Sequence, residues 1–98
     1  MTPVEMHPLA VREAGGAFEW YAARSAHAAE RFSEQLSKAI KKISEHPERY
    51  PVYLEGTQRI LLDRFPYLVV YIHEPDRVSV IAVAHGKRRP GYWRRRLP

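Results

Sequence analysis

The stretch QRILLDRFPYLVVYIHEPDRVSVIAVA, Gln58 to Ala84, decides the fold. It divides into three β runs, Gln58 to Asp63, Tyr67 to His73 and Arg77 to Ala84, parted by Arg64-Phe65-Pro66 and Glu74-Pro75-Asp76. Both partings are of hairpin length, so the runs are expected to form an antiparallel meander. In the middle run Leu68, Val70 and Ile72 face one way, and Tyr67, Val69, Tyr71 and His73 face the other. Large apolar groups stand on both faces, so neither face is expected to be freely solvated.

Upstream of the meander the apolar period lengthens from two to between three and four. Ala29, Phe32, Leu36, Ala39 with Ile40, and Ile43 mark a helix capped by Ser25 and ended by His46-Pro47, since the residue before proline is pushed out of the α region. Its other face carries Glu30, Arg31, Glu34, Lys38, Lys41, Lys42 and Glu45 and reads as solvated. An earlier stripe of Ala10, Ala14, Ala17, Phe18, Tyr21 and Ala22 predicts a first helix, opened by His7-Pro8 and running to about Arg24. Almost nothing joins the two helices, which makes them an antiparallel hairpin. Gly15-Gly16 interrupts the first at about 1 kcal/mol per glycine relative to alanine, and we read it as a close helix–helix contact or a local bend. Thr2 to Met6 is a short first strand, and Pro47 to Gly56 is a loop with Tyr50 and Tyr53 folded back onto the core. The expected fold class is α+β in a single domain over residues 1–98: a short N-terminal strand, an antiparallel helical hairpin and a three-stranded antiparallel meander.

Composition narrows the function. Ninety-eight residues at 45% hydrophobic can bury one modest core, and the absence of cysteine excludes disulfides, thiolate catalysis and cysteine-based zinc sites. The scattered His7, His27, His46 and His73 lack paired ligand spacing, so neither a metal nor another cofactor is expected. With no secretory signal at the N-terminus and no run of about 18 apolar residues, a cytoplasmic protein without a membrane partner is expected. The net charge of +5 is local: residues 1–76 hold nine Lys/Arg against eleven Asp/Glu, whereas residues 77–98 hold seven Lys/Arg and no acid. Such a patch favours nucleic acid or an acidic protein surface.

The patch is Ala84-His85-Gly86-Lys87-Arg88-Arg89-Pro90-Gly91-Tyr92-Trp93-Arg94-Arg95-Arg96. A lone histidine at a strand end more often hydrogen-bonds backbone or an aromatic hydroxyl than performs catalysis, and we read His85 with Pro90 to Trp93 as a structural clasp. Tyr92 and Trp93 suit packing beneath the C-terminus as well as stacking on a base. Arg88, Arg89 and Arg94 to Arg96 are read as exposed cations open to a partner, the last three also fitting a solvated tail. Arg59 and Arg64 are most simply strand-surface cations or partners for nearby carboxylates.

The order of elements, together with particular phrases, resembles the RelE/ParE toxin superfamily of bacterial toxin–antitoxin systems, and within it the ParE-like, plasmid-stabilisation branch. The phrases are His7-Pro8 with Ala10, Trp20-Tyr21, Phe32 and Ile40, Pro47 and Pro51, Arg59, Phe65-Pro66-Tyr67 with Val70-Tyr71, and Ala82-Val83-Ala84-His85 leading to Arg88-Arg89-Pro90-Gly91-Tyr92-Trp93. They cover nearly the whole chain. The resemblance implies one of two activities: RelE-like members are ribosome-dependent endoribonucleases, and ParE-like members inhibit DNA gyrase. In the ribonucleases an arginine follows the aromatic residue opening the middle meander strand and helps hold the scissile phosphate; here that position is Leu68. Arg88 matches a second arginine, and Tyr92 matches a tyrosine only loosely, coming too early.

Metal-free RNA cleavage needs an activated 2′-hydroxyl, a stabilised phosphate charge and a protonated leaving oxygen. Arg88 or Arg89 can supply charge, His85 or Tyr92 can carry a proton, and Arg59 or Arg64 can serve as a phosphate clamp. With Leu68 in place, the reading that follows is a toxin acting by binding, with DNA gyrase as target and a cognate antitoxin as partner in a hetero-oligomer. Arg88, Arg89, Tyr92, Trp93, Arg94, Arg95 and Arg96 are its expected contact residues. The alternatives are an mRNA endonuclease acting at the ribosome and a non-toxic orphan binding domain.

Overall fold

A computed structural model describes residues 1–98. The elements are strand β1 (Val4–Met6), helices α1 (Pro8–Ala22) and α2 (Ala26–Glu45), and strands β2 (Gln58–Leu61), β3 (Tyr67–His73) and β4 (Val78–His85), with single 3-10 turns at Leu54–Gly56 and Arg94–Arg96. The α+β class, the helical hairpin and the meander stand as expected, β3 to the residue.

Capping explains the helix ends. Pro8 opens α1, and the His7 ring accepts the Leu9 N–H at 3.0 Å. Ser25 caps α2 through the Ala28 N–H at 3.2 Å, and His46 closes it just before Pro47. The Tyr71 hydroxyl donates to the Pro47 carbonyl at 2.5 Å and pins the following loop to the sheet. Burial pushes that phenol up to about 12, with Tyr50 and Glu48 adding to the shift.

The sheet order is β1-β4-β3-β2. The meander is antiparallel, and β1 joins its far side parallel to β4, with Val4 opposite Val78. The hairpin lies between β1 and β2 in the chain and supplies the crossover that a parallel pair requires. β4 is thus an interior strand, and Ile81 to Ala84 are all buried. Its register shifts between Val70 and Tyr71 of the neighbouring strand: Val70 faces Ala82, Tyr71 faces Val80, and Ile81 is the extra residue of a bulge. Val78, Val80 and Val83 consequently point to the helices, while Ile81, Ala82 and Ala84 point away.

Two apolar layers result. On the helix side Phe32 is the centre, with ring centroids at 5.5 Å from Tyr21, 5.5 Å from Phe65 and 5.3 Å from Tyr67. On the other side Val70, Ile81, Ala82 and Ala84 meet Trp93, with Leu68, Ile72, Tyr53 and Tyr92 against them.

Several expectations need correction. The first strand is shorter than Thr2 to Met6, because Thr2 is held by α2: its N–H donates to the Ser44 carbonyl at 2.9 Å, and the Ser44 hydroxyl donates to the Thr2 carbonyl at 2.6 Å. Leu62 and Asp63 fall outside β2 and Arg77 outside β4, which runs on to His85, and Phe18, 41% exposed, and Ala22 lie outside the buried stripe. Gly15 and Gly16 make no close contact: a Cβ at either would meet nothing within 4 Å, and α1 runs unbroken through both.

Candidate functional site

The chain after β4 turns back over the face opposite the helices. The Gly86 N–H donates to the Pro66 carbonyl at 2.7 Å, and the Arg88 N–H to the His85 carbonyl at 3.0 Å. Gly91 takes φ +82, where a Cβ would stand 3.0 Å from Arg94 Nη2, so this turn requires glycine. The turn drops Trp93 into the second layer at 1% exposure, 6.1 Å from the Tyr53 ring.

Glu13 of α1 ties this segment down. Its Oε1 accepts from the Val83 N–H at 3.1 Å and from Arg96 Nη1 at 2.8 Å; its Oε2 accepts from the Tyr92 hydroxyl at 2.6 Å and from Arg96 Nη2 at 3.0 Å. Arg96 also donates to the Ile81 carbonyl at 3.2 Å. β1 ends at Met6, short of this part of β4, and the carboxylate–guanidinium pair serves the edge groups that a longer β1 would have paired. Burial alone would raise the Glu13 carboxyl, but the hydrogen bonds from Arg96, Tyr92 and Val83 outweigh it and hold the group below its ordinary value. Burial and the bond to Glu13 push the Tyr92 phenol well above its ordinary value.

The remaining cations differ in how free they are. The Arg88 guanidinium stacks 3.6 Å from the Tyr92 ring centroid and comes within 3.5 Å of Glu13. Arg94 pairs with Glu55 at 2.9 Å. Lys87, Arg89 and Arg95 are exposed and outside every ion pair of the fold. The expectation of five exposed cations therefore needs correction at Arg96, whose side chain is only 12% exposed, and a solvated tail does not describe a 3-10 turn anchored to α1.

His85 Nδ1 accepts the Lys87 N–H at 3.0 Å, and its ring stands edge-on to Tyr67 at 5.1 Å. Arg59 faces Val70 across the strands and lies 4.9 Å from the Tyr53 ring. Arg64 sits exposed in the β2–β3 turn at φ 64. Neither arginine shares a hydrogen bond, ion pair or cation–π contact with the Arg88–Tyr92–Arg96 group. Leu68, opposite Ala84, belongs to the Trp93 layer. Glu13 is a functional-site residue that the sequence reading does not single out. Its signal was position: it lies beside the Ala10–Ala14–Ala17 stripe, where a carboxylate needs partners.

A helical hairpin on one face of a four-stranded sheet, with a basic segment closing the other, is the RelE/ParE type of fold. The family model described as the ParE toxin of the type II toxin–antitoxin system, parDE, matches residues 4–90, and the chain belongs to that family. Among solved structures it is similar to a chain described as the chromosomal ParDE TA system from P. aeruginosa, at TM-score 0.75 and 11% identity, over 87% of this chain and 96% of that one. A sequence search of curated proteins gave no match. No helix is long and apolar enough to cross a membrane.

Proposed function

We propose that this chain is the toxin of a type II toxin–antitoxin pair, that it acts by binding DNA gyrase, and that a cognate antitoxin neutralises it in the cytoplasm. One observation carries the choice of binding over RNA cleavage: Tyr92, one of the two candidate proton carriers, is already engaged by Glu13, and the position where a ribonuclease holds a phosphate-clamping arginine is Leu68. The Tyr92 hydroxyl donates to Glu13, His85 Nδ1 holds a backbone N–H, Arg96 is tied to Glu13, and Leu68 packs against the Trp93 layer where a ribonuclease needs a cation. A proton donor held by a carboxylate, with its phenol raised, is poorly suited to protonating a leaving oxygen near neutral pH.

Recognition falls to Lys87, Arg89 and Arg95, with Arg88 and Arg94 at the rim. Their charge suits the acidic side chains of an antitoxin segment that folds on binding, and draws such a partner in by long-range attraction. Trp93 supports this surface from below.

Inducing the chain alone in a bacterium, then with its antitoxin, tests the reading. Growth arrest relieved by the antitoxin, together with loss of supercoiling by purified gyrase, is the expected result. Unimpaired growth overturns toxicity, and transcripts cut during translation with gyrase unaffected overturn the choice of target.

A further inference from the structure

Helix α1 is apolar almost all the way round. Only Arg12, Glu13 and Glu19 of its fifteen residues carry charge, and Glu13 is turned to the C-terminal segment. At 3.6 residues per turn Ala10, Ala14, Ala17 and Tyr21 face the core, and the opposite side presents Arg12, Gly15, Gly16 and Glu19. Leu9 and Trp20 form one shoulder of that side, exposed at 39% and 53%; Val11 and Phe18 form the other, at 53% and 41%. A helix with apolar residues on every side is normally covered on every side. Arg12 and Glu19 take part in no ion pair of the fold. The two glycines weaken the helix, and nothing in their own chain needs them small.

We propose that this face is an interface between two copies of the chain, with α1 lying antiparallel on α1 across a two-fold axis between Gly15 and Gly16. Such a contact sets residue i against j and j against i. Pairing Arg12 with Glu19 of the other copy fixes the axis midway between them, and that midpoint falls between the glycines. About that axis Val11 and Phe18 share one shoulder and Leu9 and Trp20 the other; their midpoints fall one residue from the axis, an offset of about 3 Å along the helix that side chains of this size can span, and each pair occurs twice. Glycine at the crossing lets the helix axes approach to the short end of the usual range of about 8–10 Å. One helix face is a small contact, so association belongs to the weak class, with Kd on the order of micromolar. The contact is separate from the basic end and stands or falls independently of the gyrase and antitoxin reading.

The test is sedimentation equilibrium of the purified chain from about 1 μM to about 500 μM, a range set by that affinity class. Arg12→Glu places like charges opposite each other twice and is expected to raise Kd about tenfold, and Glu19→Arg should do the same. The double variant Arg12→Glu/Glu19→Arg restores both pairs and is expected to return Kd to within about threefold of the original. Both side chains are exposed and unpaired, so the fold is retained, which far-UV circular dichroism verifies. A monomer over the whole range overturns the proposal and leaves the face to a partner of different sequence. So does a double variant no better than the single ones.

Discussion

Four hydrogen bonds converge on the Glu13 carboxylate, 15% exposed, and they join α1 to β4 and to the last turn of the chain. Removing its charge strands the Arg96 guanidinium. Glu13→Gln is therefore expected to lower stability by about 2–3 kcal/mol at pH 7 in urea denaturation, the range for a charged group losing a shielded partner. Because the folded state holds this carboxyl below its unfolded value, its contribution is complete above the ordinary carboxylate range and disappears as pH falls through the folded value. The gap between wild type and variant should narrow as pH falls from about 5 through the lowered folded value; equal pH slopes for the two proteins would show that Glu13 is not the titrating group. Arg94 offers the contrast. Its pair with Glu55 lies in solvent, at 56% and 42% exposure, so Arg94→Ala is expected to change stability by less than about 1 kcal/mol.

At the scale of elements, α1 and α2 obey different rules. α2 has one buried stripe and one charged face, and its limits follow from Ser25 and His46-Pro47, all of them local signals in the amino-acid sequence. α1 has no charged face, and its glycines lie on the exposed side. Gly15→Ala and Gly16→Ala should each raise unfolding stability by about 0.5–1 kcal/mol when measured at low protein concentration. A loss would mean that something in the chain does require the glycines. The β runs are equally readable, because hairpin partings and alternation are also local. Two things are not: the bulge at Ile81, and the pairing of β1 with β4. Alternation along Val78-Ser79-Val80-Ile81-Ala82 gives no sign of an extra residue, and Val4 opposite Val78 is a contact that no window of sequence contains. Glu13 is hidden for the same reason, since its partners lie 70 to 83 residues away.

For the whole molecule, the basic end is at once surface and core. It places Trp93 over Val70, Ile81, Ala82 and Ala84, so deleting residues 86–98 should expose that layer and abolish cooperative unfolding. The binding role has to be probed by charge alone. Replacing Lys87, Arg89 and Arg95 together by serine is expected to leave stability within about 0.5 kcal/mol per site, while weakening antitoxin capture and its salt dependence in titration calorimetry. Unchanged affinity in that variant would remove the basic end from the interface. The contact from Glu13 to Arg96 also sets an order in time. On a ribosome Glu13 emerges early, and its guanidinium partner is made 83 residues later. β4 likewise reaches its parallel neighbour only after the hairpin and two other strands exist. Until synthesis has passed Arg96 the sheet lacks both its edge clamp and its second layer, so the nascent chain cannot display the basic surface in its final form. Closure across such spans makes folding slow for a chain of this length.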